Sequence, residues 1–402
     1  MNKSTSDYLI RIVDQPHEVD SSQWDRLLAI QPAPTPFMQW AYLEALHTSG
    51  SANASTGWEP KFILLERNNV LCGACVVYIK NHSYGEYVFD WSWANAYQQH
   101  GLNYYPKAAS CVPFTPVPGT RLMADSDQHR ALLAKALPRW CSTLNLSSFH
   151  LLFGDDSDIK ACESAGMMVR HTVQFHWHNQ GSGFLDFDQF LATLSQEKRK
   201  KIKQERKKVS RAGVEFRFST GSSITSEDWD FFYKCYSQTY LEHGNAPYLS
   251  KSFFQTMAID MSNNWLLFIA EKQGRPIASS LIGLGLPNSI NTSNKGIHEG
   301  VAYGRYWGAI ERVDCLHFEA CYYQPLQWCI ANGYRRFEGG AQGEHKMARA
   351  LMPVKTSSAH WLANPEFSDA VENFLEKEGE GIGHYMEHLE DRTPFKSTTK
   401  ST

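Results

Sequence analysis

A chain of 402 residues exceeds what one compact core usually holds, so two domains are expected, while 42% hydrophobic and 20% charged residues exclude a largely disordered chain. A formal net charge of -3 supplies no global field for nucleic acid or an anionic membrane, so any such attraction must be local. Nine Cys, an odd number without regular spacing, exclude a disulfide scaffold and suggest a reducing compartment.

The opening MNKSTSDYLIRI lacks the apolar segment of a signal peptide, and no run of about 18 apolar residues occurs. The expectation is a cytoplasmic protein without a transmembrane segment, with peripheral contact to a membrane-attached substrate left open. Aromatic residues, including 12 Trp, reach 13%, which favours a protein with a deep ligand cleft.

In chain order, the first signal is a hairpin. Lys61 to Leu65 and Leu71 to Ile79 are β-branched apolar runs around the polar turn Arg67-Asn68-Asn69. Cys72 and Cys75 form a CxxC inside the second run, where buried thiols are the simpler reading than a metal or redox site. No metal site is expected.

The stretch KNHSYGEYVFDWSWANAY (80–97) interleaves His82, Ser83, Glu86 and Asp90 with aromatics, including Trp93. Ionisable groups among bulky rings read either as a walled pocket with shifted pKa values or as strands with core aromatics and solvated charges. Four prolines make 102–122 a rigid loop, with Lys107 and Arg121 as candidate anion contacts. His129 to Leu144 has helical spacing and leads into FHLLFG, a strand ending at Gly154.

Phe190 to Gly213 reads as one long helix with Gly as its stop. From Lys198 to Arg211 it carries nine cations in fourteen positions, among them Arg199, Lys203 and Arg206. Such density costs helix stability by self-repulsion unless an anion neutralises it, and a polyphosphate ligand would serve.

The second half repeats the layout of the first. A hairpin joins Trp265–Ala270 to Pro276–Leu284 around Gln273-Gly274-Arg275, His317 to Asn332 is helical, and RFEGG ends at Gly340. Hairpin, helix and strand in each half indicate mixed α/β architecture. The polar segment 285–300 reads as a surface loop, and a last helix is expected after Pro365.

Beyond the RFEGG strand, AQGEHKMARA packs Gln342, Glu344, His345, Lys346 and Arg349 into eight positions, at the strand end where α/β proteins keep ligand sites. Glu319 and Tyr323 lie in the first two turns of the preceding helix, where a carboxylate also suits the helix dipole. There is no Walker loop, HExxH, GxSxG or dinucleotide fingerprint, so hydrolase, kinase and dehydrogenase readings lack support.

Taken together, HSYGEYVFDWSWA, YYPK, PFTPVPGTRL, QFHW, KRKKIKQER, YGRYWG, HFEACYYQ and FEGGAQGEHK, in that order across roughly residues 20 to 375, resemble the FemAB-like N-acyltransferases of the peptidoglycan biosynthesis/recognition type in the GNAT superfamily. The resemblance implies an α/β protein of tandem duplicated GNAT-like acyltransferase domains, without a covalently bound cofactor. The expected division is 1–182, a basic linking helix 183–213, 214–386, and a flexible tail 387–402. It further implies transfer of an acyl or aminoacyl group, from acyl-CoA or aminoacyl-tRNA as co-substrate, to an amine on a small metabolite or cell-wall precursor, with no DNA partner. A non-catalytic binder of an anionic polymer or precursor is the alternative.

The candidate catalytic groups are Glu319, Glu86 and His345. Candidate substrate contacts are His82, Asp90, Trp93, Lys107, Arg121, Tyr323, Gln342 and Glu344, joined within the motifs by His176, Tyr303, Arg305 and Trp307. Lys346, Arg349, Arg199, Lys203 and Arg206 are candidate donor-phosphate contacts.

Overall fold

The computed structural model describes residues 8–179, 181, 183–286, 300–340 and 343–396. It divides into two compact units, one formed by residues 1–172 and 355–384, the other by residues 173–354 and 385–402. The sequence-based boundaries at 182 and 213 do not contain this interleaving. Gln342 and most of the loop expected at 285–300 lie outside the described residues.

Six strands build the sheet of the first unit: β1 (Tyr8–Val13), β2 (Trp58–Arg67), β3 (Val70–Lys80), β4 (Lys107–Ser110), β6 (Ser148–Gly154) and β13 (Met352–Leu362), with the two-residue β5 (Met123–Ala124) beside β3. The order is β1-β2-β3-β4-β6-β13. All neighbours are antiparallel except β4 and β6, which run parallel with Ala109 opposite His150.

The second unit repeats that plan with β8 (Val214–Thr220), β9 (Trp265–Lys272), β10 (Arg275–Gly285), β11 (Val301–Ala309), β12 (Arg336–Glu338) and the end of β7 (Met168–His178), in the order β8-β9-β10-β11-β12-β7. Again one pair, β11 and β12, is parallel. In each unit the sixth strand comes from the other half of the sequence. This bears out the expected duplication of one mixed α/β plan.

Both hairpins read from the sequence form, and by the same turn chemistry. Asn68 and Asn69 take φ of 51° and 63°, and Gln273 and Gly274 take 53° and 72°, the left-handed pair that lets a two-residue turn match strand twist. The Cys72 and Cys75 thiols are buried in β3.

Three expectations differ in detail. The stretch 80–97 is not a pair of strands, because Trp91–Gln99 is a helix beginning directly after Asp90. The single helix expected over 190–213 is two, Phe187–Thr193 and Gln196–Arg211. Leu194 is held extended by a bridge to Phe395, and Ser195 then starts the second helix by accepting the Lys198 amide at 3.4 Å. The C-terminal helix runs from Pro365 to Asp391, and Phe395 packs against the second core, so the stretch read as a frayed tail from 387 is ordered as far as Lys396. Among the described residues, no helix is long and apolar enough to cross a membrane.

Each unit has its own core. In the first, Leu133, Leu137 and Cys141 of the helix Asp127–Thr143 pack on Ile63, Cys75 and Val77. In the second, Phe190 and Ile202 pack with Phe268, Tyr323, Leu326 and Phe337. Strand β11 lies against the helix Ser226–Glu242 so closely that a Cβ at Gly308 would overlap the Cys235 carbonyl. Gly308→Ala is therefore expected to cost about 1–3 kcal/mol in urea denaturation. By contrast Gly379→Ala, in open space on the last helix, should gain about 1 kcal/mol.

Candidate functional site

In the second unit the parallel pair diverges. Val301 to Tyr303 pair with Arg336 to Glu338, after which β11 continues along β10 only, while the chain after β12 turns through Gly339 and Gly340. The opening is a cavity of about 130 Å³ lined by Ser280, Gly304, Arg305, Trp307, His317, Cys321, Tyr322 and Gly339, among others. Both glycines sit in tight surroundings: a Cβ at Gly304 would press on the Phe337 ring at 3.1 Å, and one at Gly339 would meet Leu351 Cδ2 at 2.5 Å.

The floor of this cavity is a helix with a local irregularity. Leu316–Phe318 and Gln324–Ala331 are α-helical, but Glu319–Tyr323 winds as a π-turn, a distortion that recurs at functional sites. It turns Cys321 and Tyr322 into the cavity lining alongside His317. Burial, reinforced by His345, Arg349 and Lys346, brings the His317 imidazole down to about 4, so it is neutral at physiological pH. Ser280 Oγ donates to Cys321 Sγ at 3.8 Å.

The loop after β12 folds into a short helical turn, Glu344–Arg349. Lys346 is buried, donates to the Gly340 carbonyl at 2.9 Å, and is lowered to about 8 by burial. His345 Nε2 lies 3.4 Å from Tyr322 OH. Arg349 stacks over Phe318 at 3.6 Å and donates to Glu205 at 2.9 Å, while Tyr323 OH donates to the same carboxylate.

Glu205 belongs to the basic helix Gln196–Arg211, so this buried cluster fixes the helix to the site loop. A second tie runs from Arg206 to Glu319 at 3.0 Å, with Gln324 donating to Glu319 at 2.8 Å. The helix turns Ile202, Glu205 and Val209 inward and leaves Lys200, Lys201, Lys203, Lys207 and Arg211 exposed. Arg199 is half-buried.

Of the residues singled out in the sequence, Arg305 and Trp307 line the cavity itself, with Lys346, His345 and Arg349 in its adjoining turn. Glu319 and Tyr323 lie on its helical floor but face Arg206 and Glu205. Glu344 faces away from the cavity lining, accepting from Tyr385 at 2.7 Å and Arg392 at 3.1 Å. Tyr303 and His176 are buried in the sheet, and burial takes His176 down to about 3. Ser280 and Cys321 went unnoticed because neither stands in a recognisable motif, and only the fold brings them together.

In the first unit the corresponding space is filled. Gly119 N donates to the Phe153 carbonyl at 3.0 Å and Arg121 Nε to the Leu152 carbonyl at 3.2 Å, so the proline-rich loop covers β6. Arg121, expected as an anion contact, is committed to main-chain carbonyls at Gly119 and Val117 as well. Lys107 Nζ bonds Ser83 at 2.8 Å, Glu86 at 2.7 Å, and Asp90.

Tyr104 extends this network from Asp90, at 2.6 Å, to His150, at 3.1 Å, and His150 meets His360 at 2.8 Å under the Trp93 ring. Burial favours protonation of Glu86 and raises its pKa. For Asp90 the same burial is outweighed by Lys107, which holds the carboxyl well below the usual range. His82 sits at the edge, bonded to the Thr56 carbonyl at 2.9 Å. Side-chain exposures of 0% for Lys107, 1% for Glu86 and 4% for Asp90 place this ion cluster in the core rather than at a substrate surface. Lys107→Met would leave two buried carboxylates uncompensated and is expected to cost about 3–5 kcal/mol in chemical denaturation. The triple replacement with Glu86→Gln and Asp90→Asn should recover most of that loss.

Comparison with solved structures finds the same fold in proteins of very different sequence. A conserved protein of unknown function from Bacteroides thetaiotaomicron aligns over 88% of this chain and 100% of its own, at 11% identity and TM-score 0.52. FemX aligns over 90% and 100% at 10% identity, and L-PGS from Bacillus licheniformis over 90% and 98% at 10% identity, both with TM-score 0.52. A search of curated protein sequences returns no match. The model of the FemAB-like family, described as peptidoglycan biosynthesis/recognition, matches residues 15–397. With nearly its whole length inside that match, the chain belongs to the FemAB-like family and is an enzyme of the aminoacyl- or acyl-transferring class.

Proposed function

We propose that the second unit carries the transfer reaction, moving an acyl or aminoacyl group from a phosphate-bearing donor to an amine of a cell-wall precursor or small metabolite. The observation that supports this reading is the cavity opened by the diverging β11 and β12, with a buried lysine at its edge and a basic helix tied to its loop. The equivalent strand pair of the first unit is covered by its own loop.

In this reading the amine nitrogen bonds to the carbonyl carbon of the donor, the ester or thioester bond breaks, and the amine proton reaches the leaving oxygen or sulfur. Neutral His317 and the Tyr322 hydroxyl line the cavity and supply a route for that proton. Lys346, largely protonated below its value of about 8, offers positive charge to the oxyanion that forms on the carbonyl oxygen. The exposed cations of the basic helix offer potential for donor phosphates, whether aminoacyl-tRNA or acyl-CoA. Glu319 and Glu86, read from the sequence as proton acceptors, have structural partners in Arg206 and Lys107.

Single-turnover assays with each donor class and an amine acceptor, read by mass spectrometry, test this. Lys346→Met should lose about 10²–10³-fold in rate, as expected for removing one oxyanion donor. The wild-type rate should decline as pH rises through about 8, because the protonated amine is the active form, and Lys346→Arg should move that decline upward. A Lys346→Met enzyme with an unchanged rate and pH profile would remove this lysine from the mechanism.

A further inference from the structure

A larger cavity, of about 360 Å³, lies in the first unit and takes no part in the chemistry above. One wall is the helix Trp91–Gln99, which contributes Trp93 and Ala96, with His100 at its end. The other is the start of the helix Pro365–Asp391, which contributes Phe367, Val371 and Phe374 at spacings that put them on one face. A volume in the range of small-molecule sites, with mostly apolar walls broken by Ser92, His100 and Glu366, suits a ligand with a hydrocarbon body.

The walls are held rigidly. Arg170 lies over the Trp93 ring at 5.5 Å and grips Glu378 of the facing helix through two bonds of 2.7 Å, while the His360 ring packs on Trp93 at 5.1 Å. Phe374 stays 43% exposed at the cavity, leaving apolar surface in water.

Charge narrows the ligand class. The helix Trp91–Gln99 has no charged side chain, and among the described residues no Lys or Arg lines the cavity. The first turns of the other wall carry Glu366, Asp369, Glu372 and Glu376 against Lys377 alone, and Glu366 lines the cavity directly. Glu366, the charged side chain in the lining, repels a carboxylate or phosphate head and attracts an ammonium.

We propose that this cavity binds the hydrocarbon chain of an alkylammonium amphiphile, its cationic head at the acidic start of the helix Pro365–Asp391. The finite cavity sets a chain length beyond which further methylenes stay in water. Each methylene buried should tighten binding about fourfold.

The test is calorimetric titration of the full chain with n-alkylamines of four to fourteen carbons and with the matching carboxylates. Affinity should rise about fourfold per methylene and level off once the chain fills the cavity, and amines should bind at least tenfold tighter than carboxylates of equal length. Glu366→Gln should narrow that difference. Ala370→Phe, on an exposed helix face, and Ala96→Phe, on a half-buried one, should each fill the cavity and abolish the dependence on chain length. An amine series without length dependence, equal affinity for carboxylates, or an unaltered series in a folded Ala370→Phe protein would overturn the proposal. The readout is binding, so its outcome is independent of the transfer reaction.

Discussion

The carboxylate of Glu205 is the point on which the second unit's site depends. It accepts from Arg349 and from Tyr323 in the interior, and so ties together the basic helix, the helical floor of the cavity and the turn after β12. A buried ion pair contributes little net stability once desolvation is counted, but losing one partner is costly, and its geometry then fixes the elements that carry it. The turn that carries His345 and Lys346 is further held by Met347 in the second core and by Glu344, which accepts from Tyr385 and Arg392.

The duplicated plan explains why one half can be open and the other closed. Both sheets place a parallel pair fourth and fifth in order, and parallel strands that part leave backbone groups needing partners. In the first unit the proline-rich loop supplies those partners from Gly119 and Arg121, and the charges next to it neutralise one another inside the core. In the second unit the chain beyond β12 turns away through Gly339 and Gly340, and the space stays accessible.

Much of the architecture was legible in the sequence because it is encoded locally. Two-residue turns at Asn68-Asn69 and Gln273-Gly274 mark the hairpins, and alternation of apolar residues marks the strands. The exchange of sixth strands was not legible, since nothing local distinguishes Met168–His178 or Met352–Leu362 from strands that stay with their own half. The break at Leu194-Ser195 was hidden for a similar reason: the bridge to Phe395, some 200 residues on, overrides helix propensity. For the candidate site, clustered charge located the turn at Glu344–Arg349, but could not tell Lys346 beside the cavity from Arg121 or Lys107 in the core of the other unit. Both kinds look alike in sequence, and burial alone separates them.

The central claim is that donor and amine meet in the second unit, between β11 and the π-turn. Hydrogen–deuterium exchange of the whole protein, with and without coenzyme A in one arm and a non-hydrolysable aminoacyl-tRNA analogue in the other, addresses it most directly. One of the two donors should slow exchange at Gly304–Trp307, His317–Tyr323 and the turn Glu344–Arg349. Protection confined to the first unit, with those three segments unaffected by either donor, would contradict the account.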